Sequence, residues 1–137
     1  MATKGTPEIE QDIYDALETF FSTSIGGSLY EEDCRPLDSK AEDAVIIVSA
    51  AGAEQIQEGK AKINIYVPDI DNGSGHPVPN KDRAQEISKL EDAIVQTLND
   101  ADTGYLFGID KAAQVFVNRD NKQHFVSIGL TFQRITF

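Results

Sequence analysis

The sequence predicts an α+β domain, a two-layer sandwich in which two helices pack on one face of a mainly antiparallel sheet. Three observations carry that expectation. Two segments repeat apolar residues at three- and four-residue steps, and several others alternate or run β-branched at strand length. Their order is helix, strand, strand, helix, strand, strand, with minor strands near residues 30 and 106. The chain of 137 residues, 40% hydrophobic, suits a single domain over 1–137 whose core needs no metal or disulfide.

The first helix is predicted from Thr6 as cap and Pro7 at the first helical position, with Ile9, Ile13, Leu17, Phe20 and Phe21 on one face. Its opposite face carries Glu8, Asp12, Asp15 and Glu18, and Gly26 and Gly27 end it. A short segment around Leu29 and Tyr30 follows. Ala44 to Ser49 is a β-branched run, too short and too rich in Val and Ile for a helix, and reads as a central strand. Ala61 to Val67 alternates, with Ile63, Ile65 and Val67 on one side and Lys62, Asn64 and Tyr66 on the other, so one face is wet or meets a partner.

Residues 68–80, from Pro68 to Asn80, hold three prolines and two glycines before Asn80 and no apolar period, which predicts a long loop. Fully extended, such a segment spans on the order of 40 Å, enough to cross to a neighbouring molecule. A second helix then runs from about Asn80 with Ala84, Ile87, Leu90, Ile94 and Leu98 on one face. Tyr105 to Phe107 reads as a short strand, Ala113 to Asn118 as a better one, and Asn118 to Lys122 as a hairpin turn. In the last strand Val126, Ile128, Leu130 and Phe132 share a face, whereas Ile135 and Phe137 fall on the other parity, which predicts a bulge near Gln133. Phe20, Phe21, Phe116 and Phe132 are core candidates.

Charge narrows the function classes. The net charge of −11 opposes sequence-specific nucleic-acid binding and an anionic membrane surface, since both need clustered Lys and Arg. It is concentrated early: residues 1–60 hold 13 acidic and 4 basic side chains, against 10 and 8 in residues 61–137. The single cysteine, the absence of a basic start before an apolar run, and the absence of a spanning segment lead us to expect a cytosolic product.

Catalytic constellations are sparse. Cys34, His76 and His124 stand apart with no second ligand at metal spacing, so no metal is expected. Asp69 to Gly73 has the acids of a calcium loop, but Gly73 occupies a ligand position and Asn80 stands where a bidentate Glu belongs, so these are turn residues. Cys34 follows Glu31, Glu32 and Asp33, whose charges disfavour a thiolate. No phosphate-cradling glycine motif and no nucleophile elbow occurs. Neither an enzyme nor a cofactor is expected. Tyr66, on the polar side of its strand, and Phe125 and Phe137, off the main parity of the last one, read either as plain surface aromatics or as contacts in an oligomer interface.

The layout of helix, two strands, long Gly/Pro loop, helix and terminal hairpin resembles the tail terminator and tail-completion (head-tail joining) proteins of tailed phages and prophages. The phrase DSKAEDAVIIV … KINIYVPDI, from Asp38 to Ile70, is similar to small proteins of prophage structural clusters. The resemblance implies a structural virion protein, made in the host cytoplasm, that forms a homo-hexameric ring at the end of the tail tube or neck and contacts other tail-tube or neck proteins. Under it, Asp69, Asp71 and His76 of the loop, with Tyr66, Phe125 and Phe137, are expected at the interface, and Glu31, Glu32 and Asp33 face a channel that DNA passes without sticking. The alternative from charge alone is a small acidic partner-binding module, such as an inhibitor, immunity or adaptor protein, that stays in the cytoplasm.

Overall fold

The computed structural model describes residues 3–135 except 72, 74, 102, 103 and 119–122. Three helices pack on one face of a five-stranded sheet. The elements are α1 (Thr6–Ser24), β1 (Leu29–Glu31), β2 (Ala44–Ala51), β3 (Ile56–Pro68), β4 (Ile70–Asp71), β5 (Pro77–Val78), α2 (Lys81–Ser88), α3 (Glu91–Asp100), β6 (Tyr105–Asn118) and β7 (Gln123–Ile135). The large sheet runs β1-β2-β3-β7-β6, antiparallel throughout except for β1, which pairs parallel to β2. The α+β class is as the sequence predicts. The sheet is mixed because the chain from β1 crosses back through residues 32–43 before entering β2, and a parallel pair needs such a crossover.

The core is the apolar set the alternation points to. Ile63, Ile65 and Val67 of β3 and Val126, Ile128 and Leu130 of β7 meet Ile9, Ile13, Leu17 and Phe21 of α1, Ile87 of α2, and Ile94 and Leu98 of α3. All of these are at most 1% exposed. Because β3 and β7 pair without interruption from Ile56↔Ile135 to Pro68↔Gln123, every second residue of both strands faces the helices.

Several boundaries differ from expectation. Helix α1 is capped by Gly5 with no side-chain bond, so Thr6 is its first residue rather than its cap. The second helix is two: Lys89 and Leu90 keep helical φ but have ψ near −10°, a tightened turn after which α3 resumes with the apolar stripe unbroken. The segments at 105–107 and 113–118 form one 14-residue strand whose register shifts between Ile109 and Lys111 and again between Lys111 and Gln114. These bulges bend the edge strand, a common way of blunting an open edge.

The bulge expected near Gln133 is absent. Strand β7 keeps its parity, and the core position after Phe132 is taken by Arg134, only 5% exposed, whose guanidinium donates to Gln57 Oε1 at 3.0 Å and lies over the Tyr105 ring. The long loop is also more compact than expected. Its ends pair as Ile70↔Val78 and Asp71↔Pro77, so the segment folds back as a small hairpin instead of extending.

Candidate interaction surface

Among the described residues, no helix or strand covers the face of the sheet opposite the helices. On its central strands it presents Lys60, Lys62, Asn64 and Tyr66 from β3, and Phe125, Ser127, Gly129 and Thr131 from β7. The same alternation that buries one side leaves these on the other.

An aromatic row crosses this face. Tyr66 is directly opposite Phe125 and Phe125 opposite Phe116, with ring centroids 5.3 Å and 5.5 Å apart. Phe116 is therefore not a core residue: it is 45% exposed at the edge of the sheet. Arg35 closes the other end of the row, its guanidinium 4.0 Å from the Tyr66 ring centre. Arg35 is held there by Asp43 Oδ2 (3.0 Å), Gln123 Oε1 (2.9 Å) and the carbonyls of Ser39 and Ala41. Asp43, 1% exposed, is fully engaged, since it also accepts from Ser28 N and Ser39 Oγ.

Beside the aromatic row lies a shallow depression of about 380 Å³ bordered by Lys60, Lys62, Lys111, Gln114 and Phe116. Gly129 forms part of its floor because Lys111 crosses there: a Cβ at 129 would sit 3.3 Å from Lys111 N and Cβ. Asn64 also lines it, and its Oδ1 is buried without a hydrogen-bond partner. At the far end of the sheet Ile56 and Ile135, a directly opposed pair, are 52% and 50% exposed, and Leu106 is 57% exposed. Apolar groups at both ends and lysines between them form a surface suited to a macromolecule rather than a small ligand.

The expected interface residues divide. Tyr66 and Phe125 sit together on the open face. Asp71 is exposed and accepts a hydrogen bond from Gly73 N (2.8 Å), a turn-forming contact, and His76 is exposed at the hairpin tip. Asp69 is turned inward, where its carboxylate meets His124 Nδ1 at 2.7 Å. That makes His124 a half-buried partner of Asp69 in a central strand. The pair lies near a mostly apolar groove between α2 and the β6–β7 ladder, lined in part by Val67, Ala84, Ser88 and Val115, where Ser88 Oγ donates to the Ala84 carbonyl. Phe137 lies outside the described residues. Cys34 is exposed, and no group of three potential metal ligands occurs among the described residues.

Glu31 ends β1, Glu32 and Asp33 follow it in a turn, and the Glu32 N–H donates to Glu10 Oε1 of α1. Asp33 adopts a left-handed φ of 65°. These acids continue the acidic surface of α1, and Tyr14 reports it: its hydroxyl bonds Glu18 and is also near Glu31, so its pKa is pushed above the ordinary tyrosine value. Asp12 is not part of the open acidic face. It accepts from Lys4 Nζ (2.6 Å) and from the Tyr105 hydroxyl (2.7 Å).

No helix among the described residues is long and apolar enough to cross a membrane. No family model and no curated protein matches the chain. Among the solved structures that are similar to this chain, one has a TM-score of 0.49 and 15% identity over 97% of each chain, a likeness that carries no functional argument.

Proposed function

We propose that this protein is a structural virion protein of a tailed phage or prophage, of the tail terminator or tail-completion type, which works by self-association into a ring at the end of the tail tube or neck. The observation that carries the association is the uncovered sheet face, with its aromatic row at one end and exposed Ile56, Leu106 and Ile135 at the other. Apolar groups held in rank by strand register present a rigid surface at little entropic cost on binding. The placement in a virion rests on the resemblance of element order and of the Asp38–Ile70 phrase. The expected interface then comprises Tyr66 and Phe125 with the 70–78 hairpin, and Glu31, Glu32 and Asp33 belong to the acidic side.

Light scattering of the purified protein across a concentration series tests this reading. A mass climbing from 15.0 kDa toward a closed multiple supports it, as do rings in negative-stain micrographs. A mass that stays at one chain at every concentration, with no incorporation into phage tails, counts against it. A second reading, an acidic module for a basic partner, is favoured by the net charge of −11. It predicts a constant one-chain mass and salt-sensitive capture of a basic protein.

A further inference from the structure

The charge of this protein is unevenly spread over its elements: α2 mixes Lys81 and Arg83 with Asp82 and Glu86, but the other two helices are acidic alone. Helices α1 and α3 carry eight acidic side chains and no basic one. Glu8, Asp15 and Glu18 lie on the side of α1 away from the buried Ile9, Ile13, Leu17 and Phe21, and all three are exposed. The opposite surface, the open sheet face, carries exposed Lys60, Lys62 and Lys111 around its central depression. In a chain of net charge −11, these three lysines form a local positive site on strands β2, β3, β6 and β7, whose acidic residues are Glu58 and Asp110, and Asp110 pairs with Lys60 at 3.6 Å.

We propose that the acidic α1 surface of one copy docks on the lysine-bearing sheet face of the next, in a head-to-tail contact. Like faces repel, since two α1 surfaces bring acids together and two sheet faces bring lysines together, so a symmetric dimer through either face is opposed. Only the unlike pairing brings opposite charges together. It also covers Phe116 and Phe125, which line the same depression as the lysines. Because a head-to-tail contact leaves one acidic and one basic face open on every growing assembly, it propagates until it closes. This assignment rests on the self-association reading above and specifies its geometry.

A charge-exchange experiment tests it. One variant carries Lys60→Glu, Lys62→Glu and Lys111→Glu, the other Glu8→Lys, Asp15→Lys and Glu18→Lys. All six residues are on the surface, and circular dichroism with a melting curve checks that each variant folds; Lys→Gln and acid→amide versions serve if a reversal does not. Each variant alone is expected to lose association by at least about tenfold, and an equimolar mixture to regain it, because each then offers the other a complementary face. Wild-type association should weaken between about 0.1 M and 1 M salt, as the screening length shrinks from roughly 10 Å to 3 Å. Association of either variant at the wild-type level, or no recovery on mixing, overturns the head-to-tail contact while leaving self-association standing. A wild-type protein that stays a single chain at every concentration and salt overturns both.

Discussion

Arg83 and Glu42 form a two-point clamp, with Arg83 Nε 2.8 Å from Glu42 Oε2 and a terminal nitrogen 2.5 Å from Oε1. The same guanidinium donates to the Ser24 carbonyl at the end of α1, and Glu42 Oε1 accepts from Gly26 N. One ion pair thereby ties α1, the 32–43 crossover and α2. Its hydrogen bonds to Glu42 hold the Arg83 pKa above even its ordinary high value. Replacing Arg83 by Met should cost about 2 kcal/mol, the scale of charged hydrogen bonds lost from a partly buried site, and Lys should recover only part because it lacks the fork. Urea unfolding checks this, and a Met variant as stable as wild type would contradict it.

Gly27→Ala should be disproportionately destabilising for a one-methyl change. A Cβ there would lie 2.2 Å from Asp43 Oδ1 and 2.5 Å from the Glu42 carbonyl oxygen. Glu42 O is already bonded to Gly27 N at 2.9 Å, so the backbone has nowhere to move. A loss of about 2 kcal/mol or more in denaturant unfolding is expected from such overpacking.

Tyr105 makes stability fall at alkaline pH. Burial first, and then the hydrogen bond to Asp12, raise its pKa above the ordinary 10.0. The folded state therefore holds the phenolic proton where the unfolded chain releases it. The stabilisation is complete below pH 10 and declines as pH rises above it. Tyr105→Phe should cost about 1 kcal/mol at neutral pH through the lost bond, yet lose less stability than wild type between neutral and strongly alkaline pH. Parallel alkaline losses in the two proteins would contradict this.

Phe116→Ala separates association from stability. The ring is 45% exposed and stacks only on Phe125 among the described aromatic contacts, so the folded state should lose about 1 kcal/mol or less. Self-association should weaken much more, as read by sedimentation at fixed concentration. An unchanged sedimentation profile would remove the aromatic row from the interface.

Elements with a strong local period were legible in the sequence. The apolar steps Ile9, Ile13, Leu17 and Phe21 and the alternation of Ile63, Ile65 and Val67 each report burial of one face, which is a property of neighbours along the chain. The same alternation exposed Tyr66 and Phe125 as residues on the wrong side for a core, and they meet on the open face. The break at Lys89 was hidden because ψ there tightens the turn without rotating the apolar stripe. Ile135 misled for the opposite reason: an apolar residue off parity resembles a bulge, whereas β7 keeps its register, Ile135 stays half exposed on the open face, and Arg134 fills the core position beside Gln57, 77 residues away.

What the sequence by itself determined is the class of fold, most of the core and the sidedness of the central strands, because these follow from short-range periodicity and burial. What only the tertiary structure decided is the parallel pairing of β1, the inward turn of Asp69 to His124, and the gathering of Lys60, Lys62 and Lys111 on the side of the sheet away from acidic α1. Lys60 and Lys111 lie on different strands, 51 positions apart along the chain, and Gly129 brings β6 close enough for both to border one depression. Such groupings depend on strand order and register, and those are set by long-range pairing that no local pattern encodes.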